Sequence, residues 1–151
     1  MKENKFQVYK WKLIHYILPC KELLFKWHIT TNNLCNNCQI TENHEHFFFE
    51  CKRLETFWWI MKNLFSKLKL DDHILTLKNL VTGYTIKEEY DDMNYLLTII
   101  RFSIYKSYYV SNQRREICDI INILVREIKF IFFYEKNDHI RKILKTVLQE
   151  L

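Results

Sequence analysis

The sequence predicts a mainly α-helical fold, and three of its features indicate this class. The 151 residues include a single Gly and a single Pro, although sheets with tight turns rely on Gly, Asn and Pro for their special backbone dihedrals. Apolar side chains recur at spacings of three and four, which is the period of a helix with one buried face. Connections rich in Asn, Asp and Lys separate these stretches. The chain is long enough for one domain with its own hydrophobic core.

The N-terminal part of the chain, residues 1–72, is predicted to contain short helices around a loop. Residues 6–18 form an amphipathic helix, which Pro19 ends or kinks because proline cannot donate a helical hydrogen bond. A short helical stretch resumes at residues 22–28, and a stronger helix follows at residues 54–70. The apolar stripe of this last helix consists of Leu54, Trp58, Met61, Leu64, Phe65 and Leu68.

The C-terminal part, residues 73–151, is predicted to be a bundle of long helices. Its helices cover residues 74–81, 88–109, 113–134 and 139–150. Asn137 and Asp138 precede the last of these, where a short polar side chain can cap the first free backbone N–H groups. We expect the two parts to pack against each other as one domain.

Four potential metal ligands lie close together in the N-terminal part, and they are Cys35, Cys38, His46 and Cys51. Their spacing is Cys-x2-Cys-x7-His-x4-Cys. Zinc takes four tetrahedral nitrogen and sulfur donors, and three thiolates with one imidazole make a closed site with no open position. Asn36 and Asn37 tolerate the tight, partly left-handed turn between the first two cysteines. The pattern therefore predicts a bound Zn²⁺ that stabilises the fold rather than activating water.

The residues alone leave two details of this site open. His44 lies two positions from His46 and competes with it as the fourth ligand. His46 and Cys51 are five residues apart, about 140° on a regular helix. Either the helix is distorted there, or it restarts after Cys51. We favour a short helix over residues 41–50 with Thr41 as its N-cap, a break at the metal, and then a new helix.

The remaining cysteines and the N-terminus indicate the compartment. An odd count of five cysteines, two of them in a Cys-x-x-Cys pair, is poor evidence for a disulfide framework. Cys20 and Cys118 have no partner at metal-ligand spacing, and we interpret both as core thiols. The N-terminus is charged, and no apolar run approaches the ~20 residues of a membrane span. We therefore expect an intracellular, reducing location, the nucleus included, and no membrane partner.

The run LCNNCQITENHEHFFFEC at residues 34–51, followed by Phe57-Trp58, resembles a known family. This family is the zinc-binding region at the C-terminal end of reverse transcriptases of non-LTR (LINE-type) retrotransposons. It shows a Cys-x-x-Cys pair, then Glu-His before aromatic or aliphatic residues, then a cysteine and Phe-Trp. Segments further upstream that are also similar to the family are residues 11–15, 17–19 and 23–27. The resemblance covers about the first 60 residues, and the family's spacing favours His46 over His44.

The resemblance implies a domain that follows the polymerase and contacts template RNA or target DNA during target-primed reverse transcription. It also implies an upstream polymerase domain as a partner within the parent protein. The chain itself carries neither the polymerase nor the endonuclease of such elements. One departure is Lys52, because the family often has Pro after the last cysteine. The start of the following helix is therefore less sharply defined here.

Cations and aromatic residues alternate around the cysteines in a pattern that suits a nucleic acid. The candidate phosphate-binding residues are Lys10, Lys12, Lys26, Lys52 and Arg53, with Lys21 between them. Cations neutralise phosphates, and exposed rings such as Trp11 and Trp27 can stack on unpaired bases. The alternative is that both tryptophans belong to the core, as aromatic residues at helical spacing usually do. The net charge of +5 permits a polyanionic partner without requiring one.

One motif, Tyr90-Asp91-Asp92-Met93, is similar to a polymerase signature but has a simpler explanation. Polymerase carboxylates bind two metal ions from a β-hairpin, whereas acidic residues at a helix start favour the helix dipole. No Gly-rich phosphate loop or nucleophile motif is present. We therefore expect no catalytic centre and no small-molecule substrate. Two alternatives to nucleic-acid binding stay open: a structural or protein-interaction domain that uses zinc only for stability, and an inert retrotransposon remnant.

Overall fold

The computed structural model describes residues 4–68, 91–110 and 116–151, and the regular elements in these ranges are helices. In chain order they are α1 (Asn4–Ile14), α2 (Lys21–Lys26), a π-helical turn (His46–Glu50), a 3-10 turn (Lys52–Leu54), α3 (Glu55–Lys67), α4 (Asp91–Val110), α5 (Ile117–Tyr134) and α6 (Asp138–Glu150). The predicted mainly α fold is confirmed. The predicted helix at residues 74–81 and the proposed boundary between residues 72 and 73 lie outside the described ranges, so the division into two parts stays a prediction.

Helices α1 and α2 are each followed, two residues after their last residue, by a residue other than glycine in the left-handed backbone conformation. Tyr16 has a φ of 54° and His28 a φ of 57°. After α1, the backbone N–H of Ile17 donates to the carbonyl of Lys12 at 3.0 Å, which is the closing bond of a Schellman motif. This motif ends α1 before Pro19 is reached. The prediction that Pro19 ends or kinks a helix reaching residue 18 is therefore wrong.

The hydrophobic core joins the two ends of the chain through α4. Phe6 and Tyr9 of α1 pack edge-on against Phe102 of α4, with ring centroids 5.1 Å and 5.5 Å apart. Helix α4 also packs on α5, and α5 packs on α6. Because α4 buries apolar side chains on more than one face, it occupies the centre of the described bundle.

The carboxylate of Glu127 is buried in this bundle and is surrounded by cations. It is 2.5 Å from the ammonium of Lys5, 3.5 Å from that of Lys106 and 3.9 Å from the guanidinium of Arg126. A buried charge destabilises a fold unless it is paired. The ion pairs therefore allow Glu127 to attach α1 and α4 to α5.

Two local predictions for the cysteines and caps have different outcomes. The side chain of Asn137 accepts the backbone N–H groups of His139 at 2.9 Å and Ile140 at 3.3 Å, so the predicted cap of the last helix is confirmed. Cys20 is buried as expected, but Cys118 is exposed. Cys118 lies on α5 away from the face that packs on α4, so its interpretation as a core thiol is wrong.

Within the described ranges, no helix is both long and apolar enough to cross a membrane.

Candidate metal centre

Four donor atoms converge at one point of the N-terminal part. The thiol sulfurs of Cys35, Cys38 and Cys51 and an imidazole nitrogen of His46 all lie within 4.8 Å of one another. The Cys51 sulfur is 3.9 Å from that of Cys35 and 3.8 Å from that of Cys38. A zinc tetrahedron with bonds of about 2.3 Å has sulfur–sulfur edges of about 3.8 Å, whereas a disulfide is about 2.05 Å long. The donor set therefore fits a tetrahedral zinc ion.

The loop that carries the first two cysteines is closed by backbone hydrogen bonds. The N–H of Gln39 donates to the carbonyl of Cys35 at 3.0 Å, and the N–H of Cys35 donates to the carbonyl of Ile40 at 2.8 Å. The left-handed residue of this loop is Gln39, with a φ of 59°. The prediction that Asn36 and Asn37 take the left-handed conformation is wrong, because the turn at residues 36–38 is made without a positive φ and the left-handed residue, Gln39, comes after it.

The helical turn that carries His46 begins later than predicted. The side-chain oxygen of Asn43 accepts the backbone N–H of His46 at 2.8 Å, so Asn43 is the cap of this turn. Thr41 instead forms an isolated antiparallel bridge with Leu34. The predicted N-cap at Thr41 is therefore wrong, because Thr41 already closes the cysteine loop.

The spacing of five between His46 and Cys51 is accommodated by a π-helical turn. The backbone N–H of Cys51 donates to the carbonyl of His46 at 3.1 Å, the i to i+5 bond that defines such a turn. The wider turn brings residue 51 over residue 46, where a regular helix would separate them. After Cys51 the chain restarts through the 3-10 turn into α3. The distortion and the restart, which the sequence offered as alternatives, are both present.

His44 lies outside the donor cluster and has partners of its own. Its Nε2 atom is 2.9 Å from the carbonyl oxygen of Leu18, and its Nδ1 atom is 3.9 Å from the sulfur of Cys20. A carbonyl can only accept, so Nε2 carries the proton and Nδ1 can accept the Cys20 S–H. Burial lowers the pKa of His44, despite the carbonyl contact. Of the two candidate histidines, only His46 lies with the cysteines.

Buried polar side chains from outside the motif support the cysteine loop. The ammonium of Lys21 is buried and donates to the carbonyl of Leu34 at 2.9 Å and to the side-chain oxygen of Asn36. The carboxylate of Glu42 accepts the backbone N–H of Lys21 at 3.2 Å and the hydroxyl of Tyr108 at 3.1 Å. These contacts attach the loop to α2 and α4. Sequence reasoning missed them, because spacing does not distinguish Lys21 from the exposed lysines around it.

Cys38 is the least buried of the three clustered cysteines. Burial acts to raise the pKa of its thiol, but hydrogen bonds from the Lys52 backbone N–H, the Asn37 amide and the neighbouring thiols outweigh it. The net effect is a pKa below the ordinary value for cysteine. Because the thiolate is the form that ligates metal, these hydrogen bonds favour coordination.

The candidate phosphate-binding residues differ in their availability. Lys10, Lys12, Lys26 and Lys52 are exposed, and Arg53 is half-buried. Lys26 forms an ion pair with Glu22 at 3.0 Å, and Arg53 forms one with Glu116 at 3.5 Å. Lys10, Lys12 and Lys52 form no ion pair with the described part of the chain. These three ammonium groups are therefore the most available to bind a phosphate.

The two tryptophans considered for base stacking lie on the surface. Trp11 is 56% exposed and Trp27 is 47% exposed. The interpretation of both as core residues is wrong. In α1 the buried face consists of Phe6, Tyr9 and Leu13, which leaves Trp11 on the solvent side, where its ring lies 4.7 Å from that of His15.

The acidic pair that is similar to a polymerase signature belongs to a helix. Asp91 and Asp92 are the first described residues of α4, and Met93 is buried. Tyr90 lies outside the described ranges. The pair therefore lies in a helix and not on a β-hairpin.

Comparison with known families supports the metal centre. Residues 1–58 match a family described as zinc-binding in reverse transcriptase. The matched segment contains the four clustered donors and the five candidate phosphate-binding residues. The resemblance to a reverse transcriptase zinc-binding region is therefore confirmed for this segment, and the matched family is one of metal binding rather than catalysis. No curated protein and no solved structure shows significant similarity to the chain.

Proposed function

We propose that this chain is a structural-zinc, nucleic-acid-contacting region of a reverse transcriptase of the non-LTR type, without a catalytic centre of its own. The observation that carries the proposal is the convergence of the four donors within a segment that matches a reverse transcriptase zinc-binding family. The ligands of the proposed zinc are Cys35, Cys38, His46 and Cys51. A reducing, intracellular location follows, because these thiolates must stay unoxidised to bind metal.

Zinc would serve here as a cross-link between two backbone segments. It would join the loop of Cys35 and Cys38 to the π-helical turn that holds His46 and Cys51. Four protein donors leave no open coordination position, so the ion would stabilise the fold rather than activate a water molecule. The residue after Cys51, Lys52, is thereby held close to a rigid centre with its ammonium in solvent.

The proposed nucleic-acid contact uses cations on three elements of the N-terminal part, α1, α2 and the 3-10 turn after Cys51. Lys10 and Lys12 lie on the exposed side of α1, and Lys52 follows the last ligand. Lys26 and Arg53 would have to exchange their carboxylate partners for phosphates, which costs little for exposed pairs. Template RNA and target DNA are the proposed partners, with a polymerase domain upstream in the parent protein.

A salt titration tests this proposal. Zinc-loaded protein is titrated with labelled single-stranded RNA and single-stranded DNA at several salt concentrations. We expect affinity to fall with salt, and the double variant Lys10→Ala/Lys12→Ala to lower the slope by about 0.7 for each lost phosphate contact. The double variant Lys142→Ala/Lys145→Ala removes two exposed lysines from α6 and is the matched control. Absence of salt-dependent binding to either nucleic acid would exclude the proposed contact.

A protein-binding role is the second candidate, and one observation favours it. Phe130, Phe133 and Tyr134 at the end of α5 are 48%, 81% and 60% exposed, and the Tyr134 ring contacts both of the other rings. Exposed apolar clusters often mark protein contacts. If the chain binds a purified upstream polymerase domain and Phe133→Glu abolishes that binding, while no nucleic acid binds, this second role replaces the first.

A further inference from the structure

A cleft lies beside the metal centre, between the end of the π-helical turn and α3. Its volume is about 400 Å³, within the range of roughly 300–1,000 Å³ that small-molecule sites occupy. Phe49 and Cys51 line it from the turn, and Trp58 and Trp59 line it from α3. The cleft therefore adjoins a proposed zinc ligand but extends away from the metal along the helix.

Aromatic rings form one wall of this cleft and its rim. Trp58 is only 5% exposed, and its indole N–H donates to the carbonyl of Phe48 at 3.1 Å, which fixes the ring. The Phe49 ring lies 5.5 Å from it. Trp59 is 64% exposed, because at about 100° per residue position 59 lies on the side of α3 opposite the buried stripe of Phe57, Trp58, Met61, Leu64 and Phe65. The helical period could have identified Trp59 from the sequence, since the predicted apolar stripe of this helix leaves position 59 on the opposite side.

Charged side chains of both signs complete the lining. Lys52 and Lys62 contribute ammonium groups, and Glu50 and Glu55 contribute carboxylates. Within the described ranges, neither lysine forms an ion pair. Ammonium groups suit phosphates, carboxylates accept hydrogen bonds from the amino groups of bases, and an exposed indole ring stacks on an unpaired base.

We infer that this cleft binds one unpaired nucleotide of a single-stranded nucleic acid. The base stacks on Trp59 against the wall formed by Phe49 and Trp58, and its flanking phosphates meet Lys52 and Lys62. The inference rests on the proposed nucleic-acid contact and locates one nucleotide of that contact in the cleft between the π-helical turn and α3. A nucleotide matches the cleft better than a peptide does, because a nucleotide combines a flat aromatic face, hydrogen-bond donors and negative charge in one unit.

The test uses the full zinc-loaded chain and its Trp59→Ala and Lys62→Ala variants. Binding of unstructured 12-nucleotide RNA and DNA strands and of a 12-base-pair duplex is measured by fluorescence anisotropy across salt concentrations. Phe133→Ala on α5 is the control for losing an exposed ring, and Lys129→Ala on the same helix is the control for losing an exposed lysine. Zinc content and melting temperature are measured for each variant to verify that the fold is intact.

Trp59→Ala is expected to weaken single-strand binding about 5- to 150-fold, the range for stacking one base, without changing the salt slope. Lys62→Ala is expected to reduce the slope by about 0.7, and both controls should stay within about twofold of the unaltered chain. Duplex binding should not respond to Trp59→Ala, because a paired base cannot enter the cleft. If single strands bind but Trp59→Ala has no effect, or if duplex binding falls equally, the cleft is not the site and the proposed function survives. If neither strand binds at all, both proposals fail.

Discussion

The metal-centred region and the pair of long helices are stabilised in different ways. Around the cysteines, the buried Lys21 and Glu42 and the half-buried His44 each make a specific hydrogen bond. Between α4 and α5, buried aliphatic side chains such as Ile104 and Leu124 pack without any directional bond. A directional contact is lost when one atom is removed, whereas apolar packing fails in proportion to the volume removed. The first region should therefore depend on single atoms and the second mainly on summed volume, with the buried ion pairs of Glu127 as its directional exception.

The two regions meet at Tyr108 of α4. Its hydroxyl donates to the Glu42 carboxylate, and its ring lies 4.9 Å from that of Phe47 in the π-helical turn. One side chain therefore contributes an apolar contact and a polar contact at the boundary. Damage in one region can reach the other through this residue, so each variant below is examined for zinc content and for overall stability.

The largest effect is expected from removal of a metal ligand. Cys38→Ser should reduce zinc well below one ion per chain and lower the melting temperature, because structural zinc contributes about 10–16 kcal/mol of apparent binding free energy at pH 7. Metal analysis and thermal unfolding measure both effects. Cys118→Ser replaces an exposed thiol and serves as the control. Retention of one zinc ion per chain by Cys38→Ser would show that the ligand set is wrong.

Replacing the two histidines separately sharpens the assignment of the fourth ligand. His46→Ala should lose zinc in the same way as Cys38→Ser, because it removes a clustered donor. His44→Ala should keep zinc but cost about 1–3 kcal/mol of stability, since the Leu18 carbonyl loses its partner. The reverse pattern in metal analysis would transfer the ligand role to His44.

A substitution that leaves a cavity between α4 and α5 tests whether apolar packing stabilises this helix pair independently of the metal centre. Leu124→Ala removes a side chain that is 1% exposed on α5, and such substitutions cost about 2–5 kcal/mol. Denaturant unfolding should detect this loss while metal analysis still finds one zinc ion per folded chain. Phe133→Ala, on the exposed side of the same helix, should change stability little. A parallel loss of zinc in Leu124→Ala would mean that the two regions are not separable.

The smallest effect is expected at a helix end. His28 adopts a left-handed conformation after α2, which costs a residue with a side chain about 1–2 kcal/mol. Glycine avoids this cost but loses more entropy on folding, so His28→Gly should stabilise the chain by only about 0.5–1 kcal/mol. His139→Gly, at an exposed position in the first turn of α6, should instead destabilise it. If thermal unfolding shows that both substitutions stabilise the chain, or that both destabilise it, the left-handed conformation of His28 is wrong.

The sequence by itself determined what depends on local spacing. The choice of His46 over His44 rested on the family resemblance, but the helical class, the cap at Asn137 and the pair of Cys35 and Cys38 follow from residues within a few positions of one another. Such neighbours meet whenever the local backbone is formed, because helical periodicity and the Cys-x-x-Cys turn act over short stretches.

Only the tertiary structure decided which residues face the solvent and which meet across the chain. It exposed Cys118 and Trp11, buried Lys21 beneath the cysteine loop, and replaced a regular helix by a π-helical turn at His46. The burial of Lys21 depends on partners distant in the sequence, the Leu34 carbonyl and the Asn36 side chain, and that of Glu42 depends on Tyr108. Spacing cannot reveal these partners, because the energy of a buried contact belongs to the pair and not to either residue alone.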